Sequence, residues 1–161
     1  MADYMFAYAT NISETEMHSH CPNAIFRGFG VLEGFTLDFC GYTGHAVANL
    51  RKQKGANINV AVWEMSPEDY YTIDNFEKFP YLYKREKASV LLYGSKVKGN
   101  VYVLKQQLQS SMPSDEYLNF LKNTYADANI DQSVIDKAIQ RITQTEEKAW
   151  NSSCLTTTTV A

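Results

Sequence analysis

The segment Ile58-Asn59-Val60-Ala61-Val62-Trp63-Glu64-Met65 runs directly into Ser66-Pro67-Glu68-Asp69, and this junction constrains the fold more than any other stretch. The first part is rich in β-branched and apolar residues and reads as a strong strand. Ser66 can cap a helix, Pro67 suits its first position, and Glu68 and Asp69 suit its first turn. The helix this predicts carries Tyr70 and Ile73 inward and ends at Asp74 to Phe76. The turn that follows must therefore display Glu77.

Glu77 has Phe76, Phe79 and Tyr81 close by in sequence. A carboxylate held against aromatic rings is partly desolvated, which disfavours its charged form and raises its pKa toward neutrality. That state suits a general acid/base. The alternative is an ordinary solvated glutamate at a helix end.

Upstream, Tyr4 to Tyr8 reads as a short strand that stops at the small-polar turn Ala9-Thr10-Asn11. Ser13 and Glu16 have the spacing of a capping box and predict a short helix through His18, ended by Cys21-Pro22. Ala24–Gly30 and Val31–Phe39 read as two strands, with Gly28, Gly30 and Gly34 marking bends of a curled sheet. Gly41 to Asn57 reads as a long loop around Ala46-Val47-Ala48. Lys84–Tyr93 and Asn100–Leu108 predict a hairpin joined by residues 94–99. Pro113-Ser114-Asp115-Glu116 opens another helix, with Tyr117, Phe120, Leu121 and Tyr125 at helical spacing. Asp131 starts a last helix, with Val134, Ile135, Ala138, Ile139 and Ile142 as its apolar stripe. There is no internal repeat and no linker composition, so residues 1–150 are expected to form one domain. Residues 151–161 are expected to form a polar, disordered tail.

Several function classes fall away. The 161 residues are 45% hydrophobic and 20% charged, with a formal net charge of -3 and no long basic run, which argues against a nucleic-acid surface. No segment has the roughly 20 apolar residues of a membrane span, and no signal peptide is indicated. Three unpatterned cysteines, Cys21, Cys40 and Cys154, fit reduced thiols and a cytoplasmic location. His18-Ser19-His20-Cys21 offers metal-ligand residue types, but positions two apart do not share a helix face and no second ligand pair follows. Gly28-Phe29-Gly30 lacks the third glycine and the helix of a dinucleotide fingerprint. His45 has no nucleophile motif nearby. Neither a metal nor an organic cofactor is expected.

One ordered set of motifs remains: Tyr8-Ala9-Thr10-Asn11 after the first strand, Val62-Trp63-Glu64-Met65 ending a middle strand, Ile73-Asp74-Asn75-Phe76-Glu77-Lys78, Tyr83 beginning a strand, and Pro113-Ser114-Asp115-Glu116-Tyr117. From about Tyr4 to Ile130 the chain resembles the γ-glutamylcyclotransferase family in these motifs and their order. The resemblance implies an α+β domain whose curled, mixed or antiparallel sheet forms a small barrel flanked by helices. It also implies an activity: the α-amine of a small γ-glutamyl compound attacks its own γ-carbonyl, closing 5-oxoproline and releasing an amine or amino acid. Glu77 would be the catalytic proton carrier, and the turn Tyr8, Ala9, Thr10 and Asn11 the substrate cradle. Tyr83, and more weakly Tyr125, would line the pocket.

Read without the resemblance, Tyr8 to Asn11 is equally an ordinary strand-to-helix turn, and Tyr83 and Tyr125 are core residues with tethered hydroxyls. Two departures from the family pattern bear on activity. Ala9 and Lys78 stand where the family has glycine; alanine disfavours positive φ, and a lysine paired with Glu77 would lower the carboxyl's pKa. A catalytically silent binding module of the same fold is therefore the alternative function, and a protein acting through a helical face is a third. The leaving group and the oligomeric state are not legible.

Overall fold

In the computed structural model residues 2–158 are described, with side chains through 153. Five strands close a barrel in the order β1-β3-β2-β4-β5, comprising β1 (Asp3–Ala7), β2 (Ile25–Cys40), β3 (Val47–Met65), β4 (Tyr83–Leu92) and β5 (Ser95–Leu104). Every pairing is antiparallel except β1 with β5, which meet in parallel at Met5 and Asn100. Helices α1 (Glu14–His20), α2 (Pro67–Phe76), α3 (Asp115–Asp127) and α4 (Ser133–Thr158) flank the barrel. The expected α+β barrel is the observed fold. Phe6, Val60, Val62, Trp63 and Val101 belong to its fully buried core, which also takes in Leu121 and Tyr125 of α3 and Ile135 of α4.

Three expectations about the sheet are corrected. Ala24–Gly30 and Val31–Phe39 are one strand, β2, whose register shifts between Phe26 and Gly28 and between Glu33 and Phe35. The glycines bend this strand without ending it. At Gly34, φ is +83°, inside the second irregularity; at Gly30 a Cβ would sit 2.2 Å from Val90 Cγ1, so only glycine lets β4 approach. The long loop assigned to Gly41–Asn57 shrinks to residues 41–46, because β3 begins at Val47. Residues 51–57 are mostly exposed although they are in a strand, so their polarity imitates a loop. The β4–β5 turn is likewise tighter than the sequence predicts. It is Tyr93-Gly94, with φ of 49° and 80°, the positive values that a two-residue hairpin turn needs.

The helix starts follow their local signals. Ser66 and Asp69 form a reciprocal capping box on α2, with Asp69 N donating to Ser66 Oγ (3.1 Å) and Ser66 N to Asp69 Oδ2 (2.9 Å). Ser114 caps α3 by accepting from Tyr117 N at 3.1 Å. Helix α4 continues through Thr158, so residues 151–158 of the expected disordered tail are helical, and residues 159–161 lie outside the described ones. Once a helix is nucleated, each added residue needs only one more backbone bond. Among the described residues no helix is long and apolar enough to cross a membrane.

Helix α2 ends in a Schellman arrangement: Phe79 N donates to Asp74 O (2.8 Å) and Lys78 N to Asn75 O (3.2 Å). Lys78 occupies the left-handed position at φ 54°, where glycine is at ease and a side chain is strained. Lys78→Gly should therefore stabilise the fold by about 1 kcal/mol, read as a higher urea midpoint with unchanged m-value. At the other side of the barrel mouth, Tyr125 of α3 donates its hydroxyl to Tyr8 O at 2.8 Å in the buried interior. Tyr125→Phe leaves that carbonyl buried and unpaired, and should lower stability by about 1–3 kcal/mol in the same assay.

Candidate active site

Strand β1 leaves the sheet after Ala7, whose partner is Ala61 of β3, and turns through Tyr8 and Ala9 into a single 3-10 turn, Thr10–Ile12. The hydrogen bonds of this segment run through its carbonyls. Tyr125 donates to Tyr8 O, Ile12 N to Ala9 O (3.1 Å), Ser13 N to Thr10 O (3.1 Å) and Trp63 Nε1 to Asn11 O (2.9 Å). Among the described residues the amides of Ala9, Thr10 and Asn11 have no protein acceptor. Asn11 is buried, and its Oδ1 also lacks a partner. Ala9 has φ -128°, so this loop uses no positive φ there, and the strain expected from alanine in place of glycine is absent.

This turn forms one wall of a cavity of about 240 Å³. Glu77, immediately after α2, forms the other side, and Tyr83, Tyr102, Tyr117 and Ala48 line it as well. Burial pushes the Glu77 carboxyl from its ordinary 4.5 up to about 7. The feared salt bridge is not formed: among the described residues no ion pair joins Lys78 to Glu77. The neighbouring carboxylate, Asp74, is held differently. It accepts the Tyr102 hydroxyl of β5 and faces Arg85 Nη2 of β4 at 3.5 Å. Arg85 in turn lies 4.6 Å from the centre of the Phe79 ring. Asp74 thus pins the end of α2 to two barrel strands, and Glu77 is placed by that attachment.

The tyrosines of the wall are hydrogen-bonded phenols. Tyr8 donates to Tyr102 O at 2.6 Å, and Tyr83 to Ala48 O at 3.2 Å. Burial first, and then neighbouring groups including Glu77, push the pKa of both upward, so they stay neutral. Tyr117 accepts from Ala48 N at 3.3 Å, which leaves its own proton for a ligand. Burial raises its pKa too.

Six of the residues singled out in the sequence meet at this cavity: Glu77, Tyr8, Ala9, Thr10, Asn11 and Tyr83. Tyr125 does not line it; it lies behind the turn, bonded to Tyr8. Tyr102 and Tyr117 were missed as pocket residues. Tyr117 stood in the Pro-Ser-x-x-Tyr motif, where only its helix was read, and Tyr102 gave no local signal. The His18–Cys21 segment spreads over separate partners: His18 Nε2 bonds Ala24 O (3.0 Å), His20 lies 3.9 Å from the Phe76 ring centre, and Cys21 Sγ bonds Asp69 O (3.4 Å).

Comparison with known proteins adds a family to this geometry. A solved structure described as "Gamma-glutamyl cyclotransferase" superposes with a TM-score of 0.74 at 20% identity, over 86% of this chain and 86% of that one. An uncharacterized protein from Homo sapiens matches with a TM-score of 0.74 at 21% identity, over 85% and 86% of the two chains. An AIG2-like protein from Mus musculus matches with a TM-score of 0.55 at 26% identity, over 73% and 82%. No curated protein sequence matches the chain. The family profile described as "Gamma-glutamyl cyclotransferase, AIG2-like" matches residues 5–119, from within β1 to the first turns of α3. The chain belongs to the γ-glutamyl cyclotransferase, AIG2-like family.

Proposed function

We propose that the protein is a γ-glutamylcyclotransferase that converts a small γ-glutamyl amine or peptide into 5-oxoproline and a free amine or amino acid. The observation that carries this reading is a partly buried carboxyl, Glu77, poised at about 7 in the same cavity as a turn with three amides that have no acceptor among the described residues. Both objections raised by the sequence have lost their physical basis, since Ala9 is not at positive φ and Lys78 forms no pair with Glu77.

The reaction is intramolecular, so folding the substrate into an attacking geometry supplies much of the rate. The α-ammonium donates to Asn11 Oδ1, the buried acceptor without a protein partner. Glu77 takes one of its protons, and the freed amine attacks the γ-carbonyl, forming the ring C–N bond. The developing oxyanion accepts from amides of Ala9, Thr10 and Asn11; one such donor is worth on the order of 3 kcal/mol of barrier. The original C–N bond then breaks as Glu77 returns its proton to the departing nitrogen. The second proton of the ring nitrogen follows by the same route through Glu77, leaving the lactam N–H and releasing the amine as its ammonium. Tyr117 orients the substrate through its free hydroxyl proton, and Tyr83 shapes the wall. The buried thiols of Cys21 and Cys40 are free, which suits action in the reducing cytoplasm.

Glu77→Gln should reduce 5-oxoproline release at least about 100-fold, measured on γ-glutamyl amines and peptides with the variant shown folded. Release at near wild-type rate would remove Glu77 from the mechanism. In the wild type, kcat/KM should rise with pH through an apparent pKa near 7. The same substitution has a stability signature. The folded Glu77 keeps a proton that the unfolded chain loses above about 4.5, so its burial destabilises increasingly as pH rises from there to about 7. Glu77→Gln should therefore gain stability over the wild type at about pH 8 relative to about pH 4, in paired urea denaturations.

A further inference from the structure

Among the described residues, Glu77 and Lys78 are the two charged side chains in the cavity wall. Lys78 is exposed, and among the described residues its ammonium has no ion-pair partner. It also holds a left-handed backbone position, φ 54°, that a glycine would fill without strain. A strained residue at a cavity mouth is a reason to look for a function of its side chain.

The cavity has a direction. Tyr8, Asn11, Ala48 and Tyr83 are buried and form its floor, whereas Phe76 is 49% exposed and Leu82 39% exposed at the mouth beside Lys78. Under the cyclotransferase reading, on which this inference rests, the glutamyl end must reach the turn amides at the floor. The leaving group then lies at the mouth, between two apolar side chains and one unpaired cation. We propose that Lys78 is a specificity-determining residue: it selects leaving groups that bear a carboxylate beside the departing nitrogen. Phe76 and Leu82 favour an apolar body on the same leaving group. The preferred substrate is a γ-glutamyl derivative of an apolar α-amino acid rather than of the corresponding simple amine.

The test compares γ-glutamyl-L-phenylalanine with γ-glutamyl-phenethylamine, which differ only in that carboxylate, in wild type, Lys78→Asn and Lys78→Arg. Asparagine tolerates the left-handed conformation, so it removes the charge without adding strain. The wild type should turn over the dipeptide with the higher kcat/KM, and added salt should weaken the preference. Lys78→Asn should shrink the ratio roughly fivefold, as for a partly solvated ion pair, and Lys78→Arg should keep it. A ratio unchanged in Lys78→Asn overturns the inference. So does an equal loss on both substrates, which would place the ammonium on the glutamyl α-carboxylate instead. Absence of 5-oxoproline from both substrates with the wild type would sink the cyclotransferase reading itself, a result distinct from turnover without a carboxylate preference.

Discussion

A carboxyl withdrawn from water without a counter-charge is the feature on which the cavity depends. Left to itself, a glutamate after a helix end swings into solvent, where its charge is cheapest to hold. Glu77 stays in the wall because the backbone just before it is fastened. Asp74 accepts the Tyr102 hydroxyl and faces Arg85, and Arg85 packs over the rings of Phe79 and Tyr70. Two carboxylates on one helix end are thus given opposite environments. Asp74 has donors and a cation; Glu77 has aromatic walls and, among the described residues, no ion pair. Such a contrast is what separates a structural acid from a proton carrier.

The barrel brings this helix end to the turn at Tyr8 by a match of lengths. Strand β1 begins opposite Met65, where β3 ends, so α2 starts beside the first residues of β1. Tyr70 confirms the alignment by donating to Tyr4 O at 2.8 Å, and Asn100 of β5 donates to Tyr70 at 3.0 Å. A ten-residue helix rises about 15 Å, close to the length of a five-residue strand at about 3.3 Å per residue. Helix and strand therefore finish together, which sets Glu77 level with the chain's exit from β1. The parallel contact of β1 with β5 closes the barrel underneath, and Tyr102 of β5 is then in place to accept from Tyr8 at its carbonyl and to donate its hydroxyl to Asp74.

What could be read in the sequence is what local chemistry decides. Ser66, Pro67 and Asp69 state the start of α2 within four residues, and Ser114 does the same for α3, so both helices and the position of Glu77 were legible. The turn at Tyr8 to Asn11 was legible as a turn; that Tyr125 and Trp63 occupy its carbonyls and not its amides was not, because both partners are distant in sequence. Strand β2 was read as two strands and β3 only from Ile58 to Met65, so it was their continuity that was not legible. Their outer stretch pairs Phe35 with Lys52 and Thr36 with Arg51, and solvent on the polar residues erased the apolar alternation that marks a strand. Tyr102 and Tyr117 reach the cavity only through long-range closure, and nothing in their neighbours announces it. Tyr125 showed the reverse error, because a tyrosine on an apolar helix face can brace a site from behind without touching its contents.

The sparse charge of the cavity has a further consequence for the proposed cycle. Its phenols are held neutral by burial, so they donate hydrogen bonds without competing for the proton. The protonation of Glu77 then answers chiefly to burial and to what enters. An arriving α-ammonium within about 4–6 Å favours the charged carboxylate, the form that accepts a proton. Once that proton has moved, the ammonium is gone, and burial again favours the neutral acid, the form that can protonate the leaving nitrogen. A fixed cation bonded to Glu77 would abolish this alternation by holding the carboxylate charged throughout. Lys78 at the mouth, adjacent in sequence but unpaired with Glu77, keeps its charge available without that effect.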